Sequence, residues 1–225
     1  MENDPHMMAN IFAAASADDP AALLPLLPQD RSPCALRDRD GVSLVLSCLY
    51  RGLGKNLEAL VARSAPLPLH EAAALGDDAA VTAALARAPD ALHLLSPDGW
   101  SALHLAAFFG HAGTVALLLA RGADAMLWSR AFERNLALHA ACAGGREKPD
   151  VVRALIAPTT DLNARQGHGW TPLMLAAANG MAASAEALLA AGADRGLTND
   201  DGKDAAALAR AEGHAALAER LSARA

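Results

Sequence analysis

Apolar and polar positions along this chain follow a unit that returns about every 33 residues. One copy reads Asp98-Gly99-Trp100-Ser101-Ala102-Leu103-His104-Leu105-Ala106-Ala107; another reads His168-Gly169-Trp170-Thr171-Pro172-Leu173-Met174-Leu175-Ala176-Ala177. A glycine follows each three residues later, Gly110 and Gly180. A leucine-rich stretch then runs into Gly122-Ala123-Asp124 and Gly192-Ala193-Asp194. Leu138-His139-Ala140-Ala141 lies between these copies, Leu67-Pro68-Leu69-His70-Glu71-Ala72-Ala73 precedes them, and Asp201-Gly202-Lys203 follows. Gly169 to Gly202 and Asp161 to Asp194 are each 33 residues, and Leu67 to Ser101 is 34. Gly99 to Gly169 is 70, which places two extra residues between Asp124 and Leu136 and two more in 145–150.

Each unit predicts two helices. Ser101 or Thr171 can cap the first, and Pro172 or Pro68 suits the first helical position, where no N–H is needed. The alanine pairs, such as Ala106-Ala107, let that short helix pack closely against copies of itself. Gly76, Gly110, Gly145, Gly180 and Gly213 recur where it must end. The second helix carries Val115, Leu117, Leu118 and Leu119 and ends at Gly122. Such a helix pair cannot bury its apolar face alone, so stacked copies share one core. A degenerate copy occupies 40–52. Only 24 residues separate Ser43 from Leu67, so the connection there must be shortened. Phe12–Asp19 echoes Glu71–Asp78, which brings the count to seven helix pairs, or six if the first is taken as a flank.

The recurring pattern resembles the ankyrin repeat family, with its T-P-L-H-x-A, Gly-His and G-A-D signatures. The resemblance runs from about Ile11 to Leu221. It implies an all-α solenoid of stacked helix-turn-helix units with short β-hairpin fingers. Residues 1–10 are expected to be irregular and 11–225 to form a single ankyrin repeat domain of six to seven repeats including caps.

The remaining composition narrows the function. The 225 residues are 53% hydrophobic and carry a formal charge of −6, which disfavours phosphate and therefore nucleic acid. No apolar run approaches a membrane span of ~18 residues. Cys34, Cys48 and Cys142 match neither a metal spacing nor a disulfide framework, which fits a reducing, cytoplasmic setting. Richness in Ala, Leu and Arg points to a bacterial chain.

Three histidines, His70, His104 and His139, invite a metal reading. Ligand nitrogens must lie within roughly 3–4 Å of one another, whereas equivalent positions of stacked helices lie roughly 10 Å apart. Leu46, Met174 and Ala207 stand at the same position elsewhere. The resemblance implies instead that these histidines tie adjacent loops. Cys142 occupies a small-residue position matching Ala107 and Ala177, so a buried structural thiol is expected. Glu147, Lys148 and Asp150 read as a solvated charged loop. The glycines mark helix ends, and no phosphate-binding G-x-x-x-x-G-K-[ST] occurs.

The family's exposed variable positions, carried onto this chain, include Asp98, Trp100, Phe108 and Phe109, together with Pro97. In a later repeat they include Gly167, His168, Trp170 and Asn179, and in the degenerate copy Tyr50 and Arg51. Large aromatics at exposed positions anchor interfaces; the alternative is that these rings pack between repeats. The expected function is a monomeric protein-interaction scaffold that uses a concave finger and inner-helix face and requires no cofactor. The competing reading is an enzyme or a small-ligand or metal-binding protein. It lacks convergent polar groups.

Overall fold

The computed structural model describes residues 5–131, 133–157 and 160–223. Among them the chain forms seven successive helix pairs. These are α1 (Pro5–Ala15) with α2 (Pro20–Leu23), α3 (Leu44–Tyr50) with α4 (Gly54–Ala62), and α5 (Leu69–Leu75) with α6 (Asp78–Arg87). Next come α7 (Ala102–Phe109) with α8 (Ala112–Ala120), and α9 (Ala137–Ala141) with α10 (Pro149–Leu155). The last two are α11 (Pro172–Ala178) with α12 (Ala182–Ala190), and α13 (Ala205–Ala211) with α14 (Ala215–Ser222). The fold is all-α. The fingers contribute only isolated bridges among the described residues, Arg37 with Ser43 and Leu95 with Ser101.

The helices start where their side chains satisfy orphan N–H groups. Ser43 Oγ accepts from Leu46 N–H, Ser101 Oγ from His104 N–H, Thr171 Oγ1 from Met174 N–H and Asp204 Oδ1 from Ala207 N–H. Pro172 takes the first helical position as expected, but Pro68 stands one residue outside α5. The physical reason is Leu67, which fills the place of Ser101 and Thr171 and has no acceptor to draw the helix start back. A second difference lies at the N-terminus. Residues 5–10, expected to be irregular, belong to α1, because Met8 and Ile11 turn into the core and hold the first turns in place.

One apolar core runs through the stack from Met8 to Leu221. Alanines on α5, α7, α9 and α11 let those helices approach closely, and α8, α10 and α12 pack behind them. A smaller apolar strip, Leu46, Ala74 and Leu105, lies on the first helices of the second, third and fourth pairs.

Hydrogen bonds stitch neighbouring pairs together in two series. In the first, a histidine of one first helix reaches a carbonyl of the next connection. His70 Nε2 lies 3.1 Å from Leu94 O, His104 Nε2 2.9 Å from Asn135 O and His139 Nε2 3.0 Å from Ala164 O. In the second, the residue before a second helix reaches back to the preceding first helix: His111 Nε2 to Ala74 O at 2.9 Å and His214 Nε2 to Ala178 O at 3.1 Å. These imidazoles occupy the space where a Cβ on Gly76 or Gly180 would stand, so the two glycines are required by close approach as well as by their positive φ.

Candidate protein-binding site

The second series of stitches is not made by histidine at every junction. At the fourth-to-fifth junction Lys148 replaces the histidine, and its Nζ donates to Phe108 O at 2.6 Å and Ala143 O at 2.8 Å. The ammonium also lies 5.2 Å from the Phe108 ring centroid. Burial lowers the Lys148 pKa to about 8. Of the charged residues in this loop, Glu147 and Asp150 are exposed as expected, whereas Lys148 is buried. Glu147 accepts from Ala183 N–H, Ser184 N–H and Ser184 Oγ at 2.7, 3.2 and 2.9 Å, so it caps α12 of the next pair. Asn179, carried over as a variable contact position, is likewise structural. Its Nδ2 donates to Cys142 O at 3.1 Å and Leu175 O at 2.9 Å.

Above the Leu46–Ala74–Leu105 strip four rings meet. Tyr50, the last residue of α3, lies 5.3 Å from Phe109 and 5.9 Å from Phe108 between ring centroids. Phe108 and Phe109 stand edge to face at 5.1 Å, and Trp100 meets Phe108 at 5.7 Å. The contact skips a helix pair: the rings come from the second and fourth pairs and span the small Ala74 of the third. Each T-shaped or tilted pair adds to simple burial. Both readings of these aromatics thus hold together. The rings pack on one another, yet Trp100, Phe108 and Phe109 remain half-buried and Tyr50 is 37% exposed.

Asp98 belongs to the same cluster. Its carboxylate sits against Ser96 Oγ, and that hydroxyl accepts from Trp100 N–H at 3.1 Å, which fixes the turn that presents the indole. Burial, and secondarily the Asp98 charge, push the Tyr50 phenol well above its usual range, so it stays neutral.

Trp170 and His168 sit elsewhere. Trp170 is half-buried against the main core, and no ring contact joins it to the four rings among the described residues. His168 is exposed at φ 59°, with its carbonyl accepting from Asp200 N–H at 3.1 Å. Between the two places Trp128 packs on His139 at 6.1 Å with Arg134 over its ring at 5.9 Å. Phe132, in the same connection between Asp124 and Leu136 that carries two extra residues, lies outside the described residues.

The three cysteines are free and buried. Cys142 is fully buried and its thiol is pushed up to about 12 by burial; Cys34 and Cys48 are raised to about 11 for the same reason. A protonated, enclosed thiol is a poor nucleophile. Among the described residues no group of three or more His, Cys, Asp or Glu side chains could hold one metal ion. His104→Ala should lower stability by about 1–3 kcal/mol, because the buried Asn135 carbonyl loses its donor. Thermal melts check this, and elemental analysis should find the same metal content in variant and wild type.

Comparison with known proteins agrees with the geometry. Three copies of a profile described as ankyrin repeats match residues 11–128, 69–166 and 126–199. The chain belongs to the ankyrin repeat family, whose arrays are generally protein-interaction modules and typically non-catalytic. It is similar to the mouse ankyrin repeat and SOCS box protein 16, with 41% identity over 106 residues, 44% of this chain and 23% of that protein. It is also similar to human protein phosphatase 1 regulatory subunit 27, with 41% identity over 66 residues, 29% of this chain and 42% of that protein. The chain thus spans less than half the length of either relative. No helix among the described residues is long and apolar enough to cross a membrane.

Proposed function

We propose that this array binds a partner protein through the face centred on Tyr50, Trp100, Phe108 and Phe109, with Asp98 at its rim, and that it catalyses no reaction. The observation that carries this reading is the contiguous ring cluster, gathered from two repeats and left partly open above a strip of small and aliphatic residues. Interface hot spots are enriched in Trp and Tyr at well-packed, desolvated centres. Trp170 and His168, two repeats further along, extend the contact of a partner that follows the array. The reading includes a monomeric, cytoplasmic module that requires no cofactor, binds neither nucleic acid nor membrane, and keeps its buried cysteines reduced. The names of the two relatives, a SOCS box protein and a phosphatase regulatory subunit, fit a role exerted through association.

The test is capture of a partner from the host followed by titration. Trp100→Ala should weaken the purified complex by about 2 kcal/mol, roughly thirtyfold in Kd, with the circular dichroism spectrum unchanged. Equal affinity of wild type, Trp100→Ala and Phe108→Ala would move the site elsewhere on the array.

A further inference from the structure

One junction in the stack lacks the stitches found at all the others. The first and second pairs are joined by Asn56, whose N–H donates to Asp18 Oδ1 at 2.9 Å and whose Nδ2 donates to Ala15 O at 2.8 Å. The third and fourth are joined by His70, by His111 and by Thr114 Oγ1 on Asp78 Oδ1 at 2.6 Å. His104 and Lys148 join the fourth to the fifth, and His139, Glu147 and Asn179 the fifth to the sixth. His214 ties the seventh to the sixth. Between the second and third pairs no hydrogen bond crosses among the described residues.

The cause is legible residue by residue. Leu46 stands where His70, His104 and His139 reach forward, so the second pair has no forward donor. Asp77 stands where His111, Lys148 and His214 reach back. Its carboxylate instead caps its own helix, accepting from Ala80 N–H at 2.9 Å. The connection 63–68 between α4 and α5 is also too short to form a finger. What remains across this junction is apolar contact, an ion pair at 4.0 Å between Arg37 and Glu71, and the two ring contacts of Tyr50. The Glu71 side chain is only 2% exposed, and its Oε1 accepts no hydrogen bond, so the junction encloses a carboxylate oxygen that its one cationic neighbour barely reaches. A polar oxygen enclosed without a hydrogen-bond partner favours opening to water.

We infer that the first two helix pairs, up to Ala62, and the last five, from Leu69 onward, are two separable blocks that hinge at the 63–68 connection, and that packing of Tyr50 on Phe108 and Phe109 is the latch that closes it. The rings that latch the hinge are those assigned above to partner binding. On that reading, a partner seated on them binds the closed array and holds the N-terminal block in place. Opening separates Tyr50 from the two phenylalanines and divides the site. The hinge itself requires no partner, so it can be tested on the protein alone.

Native-state hydrogen exchange of the full chain, read by mass spectrometry, distinguishes hinging from gradual fraying. The expected result is a single step in protection at 63–68. Peptides of α1, α3 and α4 exchange through one shared opening, and those of α7 to α14 stay closed. Tyr50→Ala should speed exchange within 44–62 by about tenfold and leave 172–221 unchanged, whereas Tyr50→Phe, which keeps the ring, should match wild type. Protection that rises smoothly from α1 through α6, or a Tyr50→Ala effect spread equally over both blocks, overturns the hinge. A step at 63–68 that is indifferent to Tyr50→Ala overturns the latch. Failure of Trp100→Ala to weaken a captured partner would count against the binding site and leave the hinge standing.

Discussion

Acidification from pH 7 to pH 4 should strip the array of much of its stability, at about 3 kcal/mol for each of His104 and His139. Both rings are buried, and burial lowers each pKa from 6.5 to about 4. A histidine whose folded pKa is depressed contributes fully above the unfolded value of 6.5 and loses that contribution as pH falls through 4. The hydrogen bonds give the chemical reason. His139 Nδ1 accepts from Leu136 N–H at 3.3 Å while Nε2 donates to Ala164 O. Protonating Nδ1 would set two donors against each other, and a backbone N–H cannot turn away. His104 is less rigidly committed, because its Nδ1 faces the rotatable Ser101 hydroxyl at 2.7 Å. His70 is shifted downward by burial as well and adds to the loss. Since a domain of this size is held by about 5–15 kcal/mol in total, the denaturation midpoint should fall steeply between pH 6.5 and 4. Urea melts across that range check it, and His104→Ala should flatten the slope. A midpoint that stays level from pH 7 to pH 4 would show that the histidines are not the neutral ties described here.

Leu118→Ala should cost about 2–5 kcal/mol, since both transfer energy and a residual cavity are lost. Leu118 is wholly buried in α8, and its carbonyl also accepts from Arg121 N–H and Ala123 N–H at the turn that ends the helix. The neighbours cannot collapse into the space without breaking that turn. Leu173→Ala, near the start of α11 and 1% exposed, should behave alike. In a chain of this size each change should lower Tm by about 10 °C, measurable by differential scanning calorimetry. An unchanged Tm in both variants would place these side chains outside the shared core.

The repeat made most of this legible in advance. Equivalent positions meet equivalent surroundings, so the period located the caps, the histidine ties, the closely packed alanines and the leucines of the second helices. Legibility ended where the period was broken. The extra residues after Gly145 removed Lys148 and Glu147 from the alignment, and long charged side chains read as solvated until their heads are seen turned onto carbonyls and a helix start. Asn179 failed for the opposite reason. It sits at a position that varies in the family, but a side chain there can also reach back one repeat. The ring cluster was partly visible, with Trp100, Phe108 and Phe109 adjacent along one repeat. The part Tyr50 plays in it depends on how far one ring reaches across Ala74, and no spacing along the chain encodes that distance. Trp170 occupies the same place in its own repeat as Trp100 but lacks neighbouring aromatics at the end of α11, where Ala178 and Asn179 stand.

The buried ammonium of Lys148 has a consequence for labelling chemistry. The chain has three lysines, Lys55, Lys148 and Lys203, of which the first and last are exposed. An amine-directed acylating reagent therefore finds two of them freely and the third only when the fourth and fifth repeats part. Its ammonium donates to Phe108 O and Ala143 O, so acylation waits until those two bonds break. A single native side chain thus works as a chemical clock for breathing in the middle of the array, and it can be read without introducing any probe.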